Sequence, residues 1–300
     1  MPSHEAMAIR QMLSQYRSGE HEGPPPSIEM QRAALDEMGR TIPQPDDVIV
    51  TQTNIAGVHG EWIEVKGVSS SRVILYLHGG AYYMGSCESH RSLCWRLARA
   101  AKARVLLIEY RLAPEHKFPA AVEDAVDVYK ELIRDGGITP ACIAIAGDSA
   151  GGGLTAAILL SLRDANVDLP ACAILLSPWT DLAGTGESMT TRAKYDPWLE
   201  PNSIRKAPAL YTAEETLTHP LASPLYADLQ GLPPLLIHVG DHECLLDDSV
   251  RYADKARAAG VSVTLHIWEE MWHVFQSFPM PEADAAIAEI GRFVQQQIPD

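Results

Sequence analysis

The sequence predicts one α/β domain, a mainly parallel sheet with helices on both faces. Two observations carry this. From about residue 61, short β-rich runs alternate with helical patterns, which is the mark of crossover units, and no linker-like composition divides the 300 residues. In chain order, residues 1 to about 45 are helical with a proline-rich break at Pro24 to Pro26 and stand outside the alternation. The strand candidates follow as "EWIEV", "RVILYLHGG", "ARVLLIEY", "CIAIAGD", "ACAILLSP", "PPLLIHVGD" and "VSVTLHIWE". Between them, "HRSLCWRLARAA", "AAVEDAVDVYKELIRDGG", "SAGGGLTAAILLSLRDA", "DSVRYADKARAAG" and "EADAAIAEIGRFVQQQ" have helical spacing. A long insertion, roughly Gly184 to Thr218, follows the fifth strand candidate, and an insertion of that size in a compact domain usually serves as a lid or cap. The expected organisation is a single domain over 1–300. Its core spans about 46–183 and 219–300, with 1–45 and about 184–218 standing outside it.

Bulk properties exclude several classes. A formal charge of −15 with no Lys/Arg-rich run works against collecting phosphates, so a nucleic acid is not an expected partner. Apolar runs such as "VILYL" and "LLIHV" are too short to span a bilayer, and "MPSHEAMAIRQMLSQY" lacks a basic-then-apolar signal pattern. The expectation is a cytoplasmic protein without a membrane partner. The five cysteines, Cys87, Cys94, Cys142, Cys172 and Cys244, are irregularly spaced and partly inside apolar runs, which suits buried free thiols better than disulfides or a zinc site.

Chemistry enters at Gly147-Asp148-Ser149-Ala150-Gly151, a G-x-S-x-G match between a strand candidate and a helix candidate. A serine on that turn holds its hydroxyl out at the carboxyl end of the sheet, beside the free N–H groups and dipole of a helix amino end. The alternative is a glycine-rich turn kept for close packing. A serine hydroxyl is a weak nucleophile, so the reading needs a base, an acid and donors for an oxyanion.

Of the eleven histidines, His266 lies inside a strand pattern, His78 precedes a glycine turn, and His4, His21 and His59 sit outside or before the core elements. His273 follows the last strand candidate and precedes the last helix, on the same edge as Ser149, and is the expected base. In the turn after "PPLLIHV", Asp241 and Glu243 both reach an imidazole from that edge, while Asp247 and Asp248 suit capping of the helix that starts near Ser249. The stretch "YLHGGAYYMGS" offers the N–H groups of Gly79, Gly80 and Ala81 to an oxyanion, with Ala150 as the second donor set.

Four blocks together resemble the hormone-sensitive-lipase-like (family IV) carboxylesterases of the α/β-hydrolase superfamily. They are "HGGAYYMGS", "EYRLAPEHKFPAAVED", "GDSAGGG" and "LTHPLASPLYADLQGLPPLLIHVGDHECLLDD" running on to "HVF". The likeness covers roughly residue 60 to the C-terminus. It implies the α/β-hydrolase fold with an eight-stranded sheet, a helical cap from the N-terminal segment and the insertion, no cofactor, and hydrolysis of short-chain acyl esters. It also implies the acid: Glu243-Cys244-Leu245-Leu246-Asp247 reproduces the family's acid-x-Leu-x-Asp, which aligns Glu243 with the triad carboxylate. Two departures are Ala81 at the third glycine of His-Gly-Gly-Gly and Gly153 where asparagine is common.

The expected mechanism is attack by Ser149, with neutral His273 taking its proton and ionised Glu243 fixing the imidazole. Activity is then expected to fall as pH drops through the histidine range, about 6.5 before environmental shifts. An amidase or peptidase with the same triad and a non-catalytic receptor of the same fold are the rival readings. Met7, Met12, Tyr16, Met189, Tyr195, Trp198, Leu210 and Tyr211 are the apolar candidates for the acyl-pocket walls. The last strand candidate, "VSVTLHIW", would be a sheet edge through which a homodimer could form.

Overall fold

The computed structural model describes residues 1–18, 26–68 and 71–299. His21 and the prolines Pro24 and Pro25 of the expected break lie outside the described residues. Eight strands form one sheet: β1 (Val48–Ile55), β2 (Val58–Val65), β3 (Val73–Leu77), β4 (Arg104–Ile108), β5 (Ile143–Asp148), β6 (Cys172–Leu176), β7 (Leu235–Gly240) and β8 (Val263–Trp268). Their order is β1-β2-β4-β3-β5-β6-β7-β8; β2 is antiparallel to both its neighbours, and all other pairs are parallel. Strands β3, β5, β6 and β7 are buried at every position, as expected of short apolar runs covered on both faces by helices.

Strand β1 is absent from the seven strand candidates, and its composition explains the omission. "VIVTQTNI" mixes polar residues into an edge strand that only half buries. Its hairpin turn, Ala56-Gly57, has positive φ at both central residues, 52° and 82°, the two-residue geometry in which Asn-Gly or Asp-Gly is the usual signal.

Four long helices flank the sheet directly: α3 (Cys87–Ala101), α4 (Ala120–Arg134), α9 (Leu246–Ala258) and α10 (Pro281–Gln297). A fifth, α5 (Ala150–Asp164), is buried from Ala150 through Leu160, so it is apolar all round rather than amphipathic. One large apolar core and a second smaller one hold these layers together. Helices α1 (His4–Ser18) and α2 (Ile28–Arg40), with the short α6 (Ser188–Thr191), α7 (Pro201–Lys206) and α8 (Pro208–Tyr211), stand outside the alternation. Arg10 and Arg17 of α1 donate to the carbonyls of Tyr195 (3.0 Å) and Ala193 (2.8 Å) in the insertion.

Strand order reverses between β3 and β5, which pair with Leu77 opposite Gly147 while β4 lies on the other side of β3. Loops leaving two such strands diverge and open a crevice at their carboxyl ends. Here those loops are "HGGAYYMGS" and the turn carrying Ser149. The chain after β6, β7 and β8 supplies Ser177, Glu243 and His273 to the same edge.

Candidate active site

Ser149 sits between β5 and α5 with φ 53° and ψ −120°, a conformation that costs a non-glycine residue about 1–3 kcal/mol. Neighbouring backbone holds it there: its N–H donates to the Leu176 carbonyl (2.8 Å), and its own carbonyl accepts from Trp179 (2.9 Å) and Gly153 (3.0 Å). The turn closes against β3 so tightly that a Cβ on Gly151 would fall 1.9 Å from the Leu77 carbonyl oxygen. A serine at a helix amino end ordinarily spends its hydroxyl on the cap. Ser149 makes no such bond. Its hydroxyl is left for a cavity of about 570 Å³ that His273 also lines.

His273 is buried in the loop after β8, with the edge of Trp198 facing it at 6.2 Å between ring centroids. Gly240, at the end of β7, lets that loop press down, since a Cβ there would lie 2.1 Å from the Met271 carbonyl oxygen. Nδ1 of His273 faces Oε1 of Glu243 at 3.5 Å, and among the described residues neither atom has another partner. That separation is at the long edge of hydrogen bonding, which is common before substrate binds. The other carboxylate oxygen, Oε2, accepts from the Ser177 hydroxyl (2.8 Å) and the Gly240 N–H (3.3 Å). Burial pushes the Glu243 pKa up, and His273 opposes it. Burial alone would depress His273, but the hydrogen bond and charge of Glu243 outweigh it and raise the imidazole above its ordinary value. The Ser177 and Gly240 donors favour the ionised carboxylate, which holds the imidazole of the pair above its ordinary value.

The rival acid faces elsewhere. Asp241 accepts from the Glu270 N–H at 2.6 Å and stands 4.0 Å from His242, so only Glu243 is brought to His273. Asp247 and Asp248 do not cap a helix starting near Ser249, because α9 begins at Leu246 and both fall in its first turn. They tie down the chain after β6 instead. Asp248 accepts from the N–H groups of Thr180 and Asp181, both at 2.9 Å, and Asp247 accepts from Ser188 at 2.8 Å. Burial and the nearby Asp181 push the Asp248 pKa up to about 8.

The glycine loop needs one correction. The N–H of Gly79 is committed to the carboxylate of Asp148 (3.0 Å), so it does not face an oxyanion. Among the described residues no protein acceptor takes the N–H of Gly80 or Ala81. The N–H of Ala150 belongs to the first turn of α5, where no carbonyl of the same helix precedes it. Ala81 adopts φ 53° and Gly80 φ 114°, so the loop turns through backbone that favours glycine. Asp148 is itself buried, and its Oδ1 accepts from the Tyr76 hydroxyl (2.8 Å) as well as from Gly79; His90 Nε2 lies 3.3 Å from Oδ2. Burial would raise the Asp148 pKa, yet His90 and these donors bring it below its ordinary value.

Two contributors escaped the sequence reading. Ser177 has no motif, and Asp148 is the unassigned x of G-x-S-x-G; an acidic residue beside a nucleophile was the available signal. Of the eight predicted wall residues, Met12, Tyr16 and Trp198 line the cavity. Met7 and Tyr195 are exposed, Met189 is buried in the core, Tyr211 stacks on Tyr82 at 3.9 Å, and Leu210 lies outside the lining. Ile9, Leu35, Met38, Leu199 and Ile204 take their place. All five cysteines are unpaired, and Cys142 is partly exposed rather than buried.

An uncapped serine on a strained strand-to-helix turn, beside a histidine–carboxylate pair, defines a hydrolase site on an α/β sheet. A family model described as the alpha/beta hydrolase fold matches residues 74–277. An acetyl-hydrolase of Streptomyces hygroscopicus is 42% identical over 300 residues, covering 98% of this chain and 97% of its own. An esterase of Acinetobacter venetianus is 39% identical, covering 87% of each. The crystal structure of an esterase from the bacterial hormone-sensitive lipase family superposes with a TM-score of 0.94 at 44% identity, covering 99% of both chains. The structure of EstE5 soaked with p-nitrophenyl butyrate gives 0.93 and 44%, covering 99% of this chain and 100% of that one. The chain therefore belongs to the α/β-hydrolase family and, within it, to the hormone-sensitive-lipase-like esterases, and it is a serine carboxylesterase. Neither the amidase nor the receptor reading is favoured by these relatives. Among the described residues no helix is long and apolar enough to cross a membrane.

Proposed function

We propose that this chain hydrolyses short-chain acyl esters through an acyl-enzyme on Ser149. His273 takes the hydroxyl proton as Ser149 attacks the carbonyl, and Glu243, ionised, holds the imidazole and steadies the imidazolium. The oxyanion is received by the N–H groups of Gly80, Ala81 and Ala150, and losing a single such donor typically costs about 3–4 kcal/mol of barrier. The alcohol leaves with the proton from His273, and water then repeats the sequence on the acyl-serine. One observation carries the reading: the Ser149 hydroxyl makes no cap and opens onto the cavity lined by His273. Stoichiometric labelling by an organophosphonate, lost in Ser149→Ala together with all but a trace of esterase activity, is the expected result; label persisting in Ser149→Ala would sink the assignment.

The short-chain preference rests on the modest cavity and on neighbours named as an acetyl-hydrolase and as a structure soaked with a butyrate ester. A series of p-nitrophenyl esters should peak at or below about six acyl carbons, taking each extra methylene at about 0.8 kcal/mol of apolar contact until the wall is met. A maximum at ten or more carbons would contradict it. In this reading residues 1–45 and about 184–218 form the cap, the core being about 46–183 and 219–300. The lining supplied by both segments, from Met12, Leu35, Trp198 and Ile204, is the support.

Two finer points belong here. The half-exposed edge strand β8, with Ile267 open to solvent, suits a homodimer formed strand to strand; sedimentation showing only monomer at micromolar concentration would oppose it. Five unpaired thiols, four of them buried, suit a reducing cytoplasm; recovery of the native protein in an extracellular fraction would oppose that placement.

A further inference from the structure

We propose that His238, His266 and Glu289 form a binding site for one divalent transition ion of the zinc type, apart from the catalytic cavity. The site follows from strand register. His238 of β7 and His266 of β8 are direct partners in a parallel pair, so both side chains leave the same face of the sheet. Helix α10 covers that face and brings Glu289 between them. His266 Nδ1 lies 2.8 Å from Glu289 Oε2, His238 Nε2 lies 3.7 Å from the same oxygen, and one donor atom from each residue falls within 4.8 Å of the others. Ligands of a tetrahedral zinc ion sit about 3.3 Å apart, as bond lengths near 2.0–2.1 Å require. The two separations from Glu289 lie on either side of that value, and the two imidazoles lie within 4.8 Å of each other, so side-chain adjustment brings the three donors around one ion.

The independent observation is His238 itself. Its side chain is fully buried, and among the described residues neither ring nitrogen makes a hydrogen bond. Buried imidazoles are ordinarily hydrogen-bonded, and His238, with only the longer 3.7 Å approach to Glu289 and a second imidazole beside it, has the donor set and placement of a metal ligand. Trp268 stacks on the His266 ring at 4.2 Å and fixes its orientation. His266 is 41% exposed and Glu289 26%, which provides the path from solvent. Two imidazoles and one carboxylate favour zinc, cobalt, nickel or copper over calcium or magnesium, and a fourth position stays open to water. None of the three residues lines the cavity that holds Ser149.

The test uses the full chain, stripped with a chelator and blocked at Ser149 with an organophosphonate so that the catalytic histidine does not compete. Zinc chloride titrated against a chromophoric chelator should fill one site per chain, and cobalt should give the visible bands of a tetrahedral centre. His266→Ala and Glu289→Gln should each weaken zinc binding at least tenfold and abolish the rise in melting temperature that zinc gives the unsubstituted chain. Both positions are partly exposed, so esterase activity measured without zinc before the organophosphonate is added, unchanged from the unsubstituted chain, serves as the folding control. Retention of no zinc by the stripped chain, or equal affinity and stoichiometry in both variants, would overturn the proposal.

Discussion

At the carboxyl edge of the sheet, Ser149, Glu243 and His273 are held by backbone hydrogen bonds, positive φ angles and glycines with no room for a Cβ. The helices above are attached differently. Helix α2 has no buried residue, and α1 buries Ala6 and Leu13. Arginines carry much of their anchorage: Arg32 donates to the carbonyls of Tyr83 (2.7 Å) and Ala113 (2.8 Å), and Arg10 and Arg17 reach the insertion. Groups that must meet a developing charge are preorganised on a rigid scaffold, whereas the helices that shape an acyl chain are held mainly by side chains, with one close backbone approach at Gly39 of α2 against α3. Substitutions at the edge should therefore change kcat, and substitutions in the overlying helices should change which ester is chosen.

The largest break should come at Glu243. Glu243→Gln keeps the shape and removes the charge, and loss of the triad acid typically lowers kcat about ten-thousand-fold. Asp241→Asn should stay within about threefold, because its carboxylate serves the Glu270 N–H. The pH profile sharpens the same contrast. His273 acts neutral, and Glu243 raises its pKa by favouring the imidazolium, so the acid limb of kcat/KM should lie above the ordinary histidine value of about 6.5. With Glu243→Gln that stabilisation is lost and the residual activity's limb moves to lower pH. Equal losses in Glu243→Gln and Asp241→Asn, or an unmoved limb, would contradict the assignment.

A smaller effect is expected one step back, at Ser177. Its hydroxyl donates to Glu243 and accepts the Val274 N–H (3.1 Å), tying the acid to the residue after the base. A hydrogen bond to a charged group is worth about 1.5–3 kcal/mol, which sets a fall in kcat of roughly tenfold or more with KM little changed. Ser177 has φ 45°, so Ser177→Gly and Ser177→Ala separate the hydroxyl from the backbone. Both should lose the same activity, while the glycine variant melts higher because it relieves the left-handed conformation. Activity that follows melting temperature across the two would make Ser177 a stability residue only.

The same contrast governs what could be read beforehand. Strands β3 to β7 are legible as apolar runs bounded by turn residues and β8 as a β-branched, partly polar run, and Ser149 and His273 are legible because each lies in a short segment that follows a strand. Ser177 was not, since its role arises from β6 ending beside β7, a neighbourhood no local pattern encodes. A glycine string does not say which N–H its neighbours consume, so Gly79 reads as an oxyanion donor although Asp148 takes its N–H. The acid needed a family likeness to choose Glu243 over Asp241; in the fold a two-residue difference along the turn aims one at His273 and the other at Glu270. The wall residues were least legible. On a half-buried helix the face turned to the cavity and the face turned to solvent carry similar apolar residues, so Met7 and Met12 could not be told apart.

The smallest predicted effect is therefore the one that tests the overlying helices directly. Leu35 of α2 lines the cavity from a helix that buries none of its residues, so its side chain can change without disturbing a packed core. Leu35→Ala removes apolar wall and opens room; Leu35→Trp fills it. At about 0.8 kcal/mol per methylene contact, the alanine variant should move the best p-nitrophenyl ester toward longer acyl chains, and the tryptophan variant toward shorter ones, by a few-fold in kcat/KM ratio. Acetyl ester kcat should stay within about twofold in both, because neither side chain reaches the groups that hold Ser149, Glu243 or His273. Opposite shifts in chain length at constant acetyl kcat would establish that wall and chemistry are separable. A tenfold fall in acetyl kcat in both variants, with no change in preference, would mean that α2 supports the reacting groups after all.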